Sequence, residues 1–343
     1  MLSSLQSPTI QQFLYSLKSK RTQETYLIYL DYFEKWYNTK IEDLLKLDSK
    51  VIEQALIQYI ISMRDKGLSH GYLTARVAPI LSYLELNDIT INRKKLRKFF
   101  GEAIKTVKDE AYTREEIQKM FQFAKSRGRL IIAIYASTGI RKGALVDLRL
   151  KHLTKTQDDN FSLYKFTIYE NTKEEYITFC TPECASMIDT YIEQRKKAGE
   201  KITDKSYLIR NDFYNLSTVQ ARNAKQINLD SLSLLMDRLL VQAGLKTVNH
   251  RTETYKYQRQ NKSLFHAFRK YFNTCLANCD VNVTIKEMLM GHSVGLDDSY
   301  YRPSSSVSVS GCGFISSLSI SQKALSRIIL ENSSTSLDIE ITG

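Results

Sequence analysis

Six residues with charged or reactive side chains stand out in this 343-residue sequence, in four short and widely separated motifs. Two of the six are arginines, whose planar guanidinium groups can each donate two parallel hydrogen bonds to phosphate oxygens. The other four supply two imidazoles, one ammonium group and one phenol, so the set suits chemistry on a phosphate. In chain order the residues are Arg141, Lys173, His266, Arg269, His292 and Tyr301.

The sequence around the first two motifs predicts how their side chains are presented. Arg141 follows a short apolar helix and a threonine-glycine turn, which can direct its guanidinium into a cleft. Lys173 falls in a polar turn between two predicted strands, residues 161–169 and 175–179, which are rich in Tyr, Phe, Ile and Thr.

The last two motifs are helical in pattern. His266 and Arg269 are three residues apart and therefore share one face of a predicted helix over residues 263–278. His292 follows a glycine that closes another short helix, and Tyr301 lies nine residues further on. Each motif alone is common in surface pairs and helix caps, whereas their combined order and spacing are far less common by chance.

The elements that must position these residues are mostly helices. Residues 1–105 predict five helices; Ser7 with Pro8, Thr22 and Asp48 are the expected starts of the first three, and the fourth covers residues 69–86. Val51 is expected to face inward on the third helix. The fifth helix carries a basic cluster that predicts contact with DNA: Arg93, Lys94, Lys95, Arg97 and Lys98.

The pattern predicts a mainly α fold with a small β-sheet, of the α+β class. A polar stretch at residues 106–112 reads as a linker, and a capping box at Thr113 then begins a new helix. Residues 113–303 form the expected catalytic domain. Residues 304–343 form a serine-rich tail with a short C-terminal helix.

Composition narrows the function further. Lys and Arg number 49 against 37 Asp and Glu, which gives a formal charge of +12 and suits a polyanionic partner. No apolar run approaches the roughly 20 residues that span a bilayer, and the N-terminus lacks the pattern of a secretory signal. Five cysteines without ligand-spaced histidines predict buried thiols in a reducing cytoplasm, with no metal site.

Together, the six residues resemble the catalytic set of the tyrosine recombinase, or phage integrase, family. The resemblance covers residues 8–303, and the strings TGIRKGALVDLRLKHL, KEEYITFCTPE and GHSVGLDDSYYRP are most similar to archaeal integrases. It implies an N-terminal helical, SAM-like core-binding domain that binds DNA, followed by a tyrosine-recombinase catalytic domain.

The resemblance also implies a reaction. Tyr301 would attack a DNA phosphodiester and form a 3′-phosphotyrosyl bond, while the two arginines stabilise the transition state. His266 would take the phenol proton, Lys173 would protonate the 5′-oxygen, and His292 would hydrogen-bond the phosphate. No cofactor is expected, because the covalent protein–DNA bond conserves the free energy of the phosphodiester bond and no ATP is needed. The expected partners are specific sites on duplex DNA, other copies in a homotetramer, and accessory DNA-bending factors.

The expected function is integration and excision of a viral or plasmid mobile element. A Xer-like dimer-resolving recombinase, a type IB topoisomerase and a non-catalytic DNA-binding protein stay open as alternatives. The sequence departs from the family pattern at Ala144, where an acid is usual, so that either Asp147 or another group must substitute. Tyr300 precedes Tyr301, which leaves two neighbouring candidates for the nucleophile.

Overall fold

A computed structural model describes residues 7–103, 108–158, 161–212, 218–223, 225–246, 262–279 and 281–293. Over these ranges the protein is mainly helical with one small antiparallel sheet, which confirms the predicted fold class. The chain divides into two compact units, Met1–Thr106 and Val107–Gly343.

In the described part of the first unit there are five α-helices and one 3₁₀ turn. They are α1 (Pro8–Ser16), α2 (Lys20–Tyr37), a 3₁₀ turn (Ile41–Lys46), α3 (Ser49–Asp65), α4 (His70–Leu86) and α5 (Arg93–Arg97). Aromatic rings form much of its core: Phe33 packs edge-on against Tyr59, and Phe13 packs edge-on against Tyr83. The Tyr83 hydroxyl contacts the hydroxyl of Thr9 at 3.0 Å, which ties α4 to the first helix.

Helix starts in this unit were mostly predictable. Asp48 caps α3 by accepting a hydrogen bond from the Lys50 amide at 2.8 Å. The prediction that Thr22 caps the second helix was wrong. The Ser19 hydroxyl accepts a hydrogen bond from the Thr22 amide, so the helix begins one turn earlier. Val51 was also wrong as an inward residue, since it is 48% exposed while its neighbour Ile52 is buried.

The second unit contains a three-stranded sheet of order β1-β2-β3 with helices around it. Its helices before the sheet are α6 (Arg114–Phe123), α7 (Ser126–Thr138), α8 (Lys142–Asp147) and a 3₁₀ turn (Leu150–His152). The strands are β1 (Leu153–Asp158), β2 (Phe161–Ile168) and β3 (Tyr176–Phe179). The helices after it are α9 (Pro182–Lys197), α10 (Thr218–Arg222), α11 (Leu229–Gln242), α12 (His266–Asn278) and α13 (Val283–Leu289).

Helix α7 lies at the centre of this unit and packs against α9 and α12. Its residues Leu130, Ile131, Ile132 and Ile134 are all buried, which explains why the segment 130–136 is apolar on every side. The capping box at Thr113 is present as predicted, with Glu116 accepting from the Thr113 amide at 2.8 Å. Helix α13 packs on β3, so the end of the described chain lies against the sheet.

A buried ion-pair triad joins α9 to the chain that follows it. Glu200 contacts Arg195 and Arg210, both at 2.5 Å, and all three side chains are at most 3% exposed. The arginines also donate to main-chain carbonyl oxygens, including that of Leu208 at 3.0 Å. This triad fixes the path of residues 200–210.

None of the described helices is long and apolar enough to cross a membrane.

Candidate active site

Arg269 connects two of the sequence motifs. Its side chain is only 5% exposed, and its Nη1 donates to the carbonyl oxygen of Gly139 at 2.7 Å. Its Nη2 donates to the carbonyl oxygen of Met290 and lies 2.8 Å from His292 Nε2. The turn that precedes Arg141 and the turn that precedes His292 are therefore held together by one guanidinium group.

The turn at Gly139 explains why Arg141 can reach this place. Gly139 ends α7 in the left-handed conformation, with φ +60°, and a Cβ there would lie 2.4 Å from the ring of Phe272. Only glycine fits both the conformation and the contact. Two residues later Arg141 precedes α8, and its Nη2 donates to the carbonyl oxygen of Gly291 at 3.3 Å.

The turn at Gly291 has the hydrogen-bond pattern of a Schellman motif. The Gly291 amide donates to the carbonyl oxygen of Met288 at 2.9 Å, and the His292 amide donates to that of Glu287 at 3.0 Å. Gly291 has φ +61°, and a Cβ there would lie 2.4 Å from the ring of Tyr176. The turn thus folds His292 back over its own helix, toward Arg269.

Two tyrosines connect this turn to the β2–β3 hairpin. Tyr176 opens β3 beneath Gly291, and its ring packs edge-on against Tyr169, with centroids 6.3 Å apart. Burial raises the pKa of both phenols, while the nearby charges of Arg141 and Arg269 act in the opposite direction. Tyr169 has φ +56°, a conformation that an aromatic residue rarely adopts.

The arginine pair has no acidic partner among the residues that the structure describes. Burial lowers the pKa of the Arg269 guanidinium, and the charge of Arg141 acts in the same direction. Ala144 is buried where the resemblance led us to expect an acid. Asp147 instead accepts a hydrogen bond from Gln226 Nε2 at 2.9 Å. The two guanidinium groups therefore make no direct ion pair within the described residues, which suits them to a phosphate.

Two predicted residues make no side-chain contact with this group in the described part of the chain. Lys173 is exposed in the hairpin between β2 and β3, with no ion pair or hydrogen bond among the described residues. His266 is the first residue of α12 and is likewise exposed without a hydrogen bond in the described part of the chain. Although His266 and Arg269 lie three residues apart, one is exposed and the other buried. Tyr300 and Tyr301 lie outside the described residues.

The basic cluster on α5 is exposed, with its one apolar residue, Leu96, buried against the first unit. Two of its cations are paired: Arg93 contacts Glu85 at 2.5 Å and Lys95 contacts Glu53 at 2.9 Å. The other three make no ion pair with any described residue: Lys94, Arg97 and Lys98.

No group of His, Cys, Asp and Glu residues in the described ranges could hold a metal ion.

The sequence did not predict a role for Glu287, whose carboxylate contacts His292 Nδ1 at 2.5 Å. Tyr176 was missed too. Tyr176 lies within the string KEEYITFCTPE but was not singled out there, and Glu287 belongs to none of the motifs. The glycine turn at Gly291 brings both residues to the site.

The family model described as the phage integrase family matches residues 110–304, more than half of the sequence. The chain belongs to the phage integrase family. Its members are tyrosine recombinases, so the second unit contains the catalytic domain of a DNA strand transferase. No curated protein matches the sequence of this integrase-family chain.

Solved structures of integrases and of a Xer recombinase share the fold. The Tn1549 transposon integrase in complex with transposon right end DNA has a TM-score of 0.56 and 15% identity, covering 95% of this chain and 99% of that one. The XerH site-specific recombinase on palindromic difH substrate has a TM-score of 0.54 and 17% identity, covering 81% and 74%. A lambda integrase dimer on a core site has a TM-score of 0.53 and 14% identity, covering 89% and 98%.

Proposed function

We propose that this protein is a site-specific recombinase of the archaeal integrase type. It would integrate and excise a viral or plasmid mobile element. The observation that carries the proposal is the junction of two glycine turns at Arg269, with Arg141 and His292 beside it. Three nitrogen-bearing side chains that suit a phosphate meet there without a neutralising carboxylate on either arginine.

The two arginines have different parts in binding the scissile phosphate. Arg141 is exposed and its side chain makes a single hydrogen bond to the residues that the structure describes, so most of its five N–H donors can turn to a ligand. Arg269 is held from behind by Gly139 and Met290, which fixes the direction of its fork. Donors that are already oriented stabilise the extra negative charge of a pentacoordinate phosphate without further reorganisation.

The chemical step then transfers the phosphoryl bond from DNA to protein. The phenol oxygen of Tyr301 forms a bond to phosphorus while the bond to the 5′-oxygen breaks. His266 accepts the phenol proton, and Lys173 gives a proton to the departing 5′-oxygen. Both residues are exposed in the structure, which leaves them accessible to a DNA strand. The reverse reaction with another 5′-hydroxyl reseals the strand, so no external energy source is needed.

Duplex DNA and further copies of this chain are the partners in this proposal. The transposon integrase, XerH and lambda integrase structures are all complexes with DNA, and the lambda integrase is a dimer on its core site. The exposed basic cluster on α5 and the charge of +12 support DNA binding by residues 1–105 as well as by the catalytic domain. We infer a tetramer during strand exchange, since two duplexes contain four strands to be cut.

A two-site assay tests this proposal. DNA that flanks the gene is cloned into a supercoiled plasmid as one site or as a pair, and the purified protein is added with no nucleotide or metal. Exchange between two unlike sites supports an integrase. Exchange only between identical sites would indicate dimer resolution of the Xer type. Relaxation of both plasmids without exchange would indicate a topoisomerase, and DNA binding without any strand cleavage would contradict catalysis.

A further inference from the structure

A carboxylate lies directly behind the histidine of the site. Glu287 Oε2 lies 2.5 Å from His292 Nδ1, and His292 Nε2 lies 2.8 Å from Arg269 Nη2. The three side chains therefore form a continuous chain from an acid on α13 to the buried arginine on α12. Glu287 lies five residues before His292, outside the four sequence motifs.

This chain of contacts determines where the imidazole proton lies. A guanidinium group has only donors, so His292 Nε2 must accept the hydrogen bond from Arg269. The proton of the neutral ring is then on Nδ1, where it points at the Glu287 carboxylate, which can only accept. The partner of one ring nitrogen thus sets the role of the other.

The backbone strengthens this arrangement. The His292 amide donates to the carbonyl oxygen of Glu287, so the same residue holds both the main chain and the ring of the histidine. The glutamate is 29% exposed and the histidine 43%. The second carboxylate oxygen, Oε1, lies 3.7 Å from Lys286 Nζ, too far for a hydrogen bond. The shorter contact of Glu287 is therefore with His292.

We propose that Glu287 is a positioning residue for the recombination reaction, an inference that rests on the function proposed above. In the free enzyme, Glu287 keeps the ring proton of His292 on Nδ1. It also directs Nε2 toward the place where Arg269 would bind the phosphate. When a phosphate oxygen binds beside the fixed Arg269 guanidinium and within reach of His292, Nε2 takes a proton from solvent. The ring then donates Nε2–H to a phosphate oxygen, and the Glu287 carboxylate offsets its positive charge.

Three variants separate this role from simple packing. Glu287→Leu removes the acceptor, whereas Glu287→Gln keeps an oxygen that can accept from Nδ1–H but has no charge. Lys286→Met is the matched control, because it removes the other polar neighbour of Glu287 and leaves His292 untouched. Loss of such an outer partner typically costs about 10–100-fold in activity at metal sites, and we expect a similar fall in single-turnover cleavage for Glu287→Leu.

We expect Glu287→Gln to cleave at a rate between those of the wild type and Glu287→Leu, and Lys286→Met to match the wild type. DNA affinity of all three variants should stay within about twofold of wild type, because the lost contact acts after binding. Wild-type cleavage by Glu287→Leu would overturn the proposal. Equal losses in cleavage and in DNA affinity for all three variants would also overturn it, since they would indicate a general packing defect.

The ring proton can be observed without any DNA. In protein labelled with ¹⁵N-histidine, two-dimensional NMR distinguishes the Nδ1–H from the Nε2–H tautomer, and a His292→Gln variant assigns the signal. We expect the Nδ1–H form in the wild type, in Lys286→Met and in Glu287→Gln, and the Nε2–H form to appear in Glu287→Leu. An Nε2–H wild type would overturn the inference. Because this measurement needs no recombination, it stands apart from a failure of the proposed function.

Discussion

The Arg269 guanidinium donates to the carbonyl oxygen of Gly139 at 2.7 Å, across 130 residues of sequence. This contact fixes the turn from which Arg141 emerges. The same guanidinium holds the turn before His292 through Met290. Arg269 is therefore both a candidate phosphate ligand and a structural link, whereas Arg141 is exposed and its side chain has one long hydrogen bond within the described ranges. The two arginines should respond differently to substitution.

Replacing Arg141 with Ala should abolish most cleavage without affecting stability. We expect a fall of about 100–1000-fold in single-turnover cleavage, the usual cost of one transition-state donor. Stability in urea should change by less than about 0.5 kcal/mol, as for other surface positions. Arg129→Ala is the control, since Arg129 is an exposed arginine on α7 that donates to Phe121. Normal cleavage by Arg141→Ala would show that the site is assigned wrongly.

Replacing Arg269 with Ala should lower both cleavage and stability. The carbonyl oxygens of Gly139 and Met290 would lose their donor in a buried place, and each such loss costs about 1–3 kcal/mol. Arg269→Lys keeps the charge but cannot reach both oxygens with one fork, so it should recover little of either property. Urea unfolding and cleavage are measured on the same samples. An unfolding midpoint equal to wild type for Arg269→Ala would argue against the linking role.

Gly139→Ala should destabilise the protein by about 2–4 kcal/mol, because a left-handed residue and a tight side-chain contact are both affected. The added Cβ would lie 2.4 Å from the Phe272 ring. Gly143→Ala, four residues away in α8, is the control, since nothing lies within 4 Å of its Cβ position. The comparison uses urea unfolding. Similar midpoints for the two variants would mean that Phe272 moves aside easily.

Most of the helices could be predicted from the sequence because they depend on local patterns, although α8 and α10 were not predicted. Strand β1 was missed, since the segment Leu153–Asp158 reads LTKTQD and has almost no apolar alternation. It is a strand because it pairs with β2, with Leu153 opposite Phe166. Tertiary pairing overrode local propensity there.

The contacts within the site were beyond local prediction for the same reason. A histidine and an arginine three residues apart predict a shared helix face, yet His266 is exposed and Arg269 is buried. The difference comes from the two glycine turns that enclose Arg269, and these are distant in sequence. The triad around Glu200 was missed as well, since charged residues usually lie on the surface.

Glu200 should make stability depend on acid pH. Burial alone would raise its pKa, but the hydrogen bonds and charges of Arg195 and Arg210 outweigh it, so the pKa lies below its ordinary value of 4.5. A lowered pKa in the folded state means that this stabilisation is present above about pH 4.5 and is lost as the pH falls through the folded value. The thermal midpoint should therefore drop as the pH is lowered from 5 toward 3.

A Glu200→Gln variant isolates this effect from the other carboxylates. It leaves two buried arginines without a counter-charge, which typically costs about 3–5 kcal/mol. The variant should be less stable than wild type at pH 7, and the gap should narrow as the pH falls below 4.5. A constant difference in stability over this range would mean that the pKa of Glu200 is the same in the folded and the unfolded protein.

The free and paired cations of α5 should contribute unequally to DNA affinity. Replacing Lys94, Arg97 and Lys98 with Gln should lower the slope of log affinity against log salt by about 2–3, since each phosphate contact contributes about 0.9. Replacing Arg93 and Lys95, which already contact Glu85 and Glu53, should lower it less. Fluorescence anisotropy with a duplex at several salt concentrations measures both slopes. Equal slopes for wild type and the triple variant would place the cluster away from DNA.

The most direct measurement for the whole account is the position of the covalent bond to DNA. A nicked suicide substrate from DNA flanking the gene is incubated with wild type, Tyr301→Phe and Tyr300→Phe, and the adduct peptide is sequenced by mass spectrometry. Adjacent residues point in quite different directions in helix or strand, so only one of the two tyrosines can reach a phosphate held by Arg141 and Arg269. We predict a 3′-phosphate on Tyr301 in wild type and Tyr300→Phe, and no adduct in Tyr301→Phe. An adduct that persists in Tyr301→Phe, or no adduct in any of the three, would contradict the account.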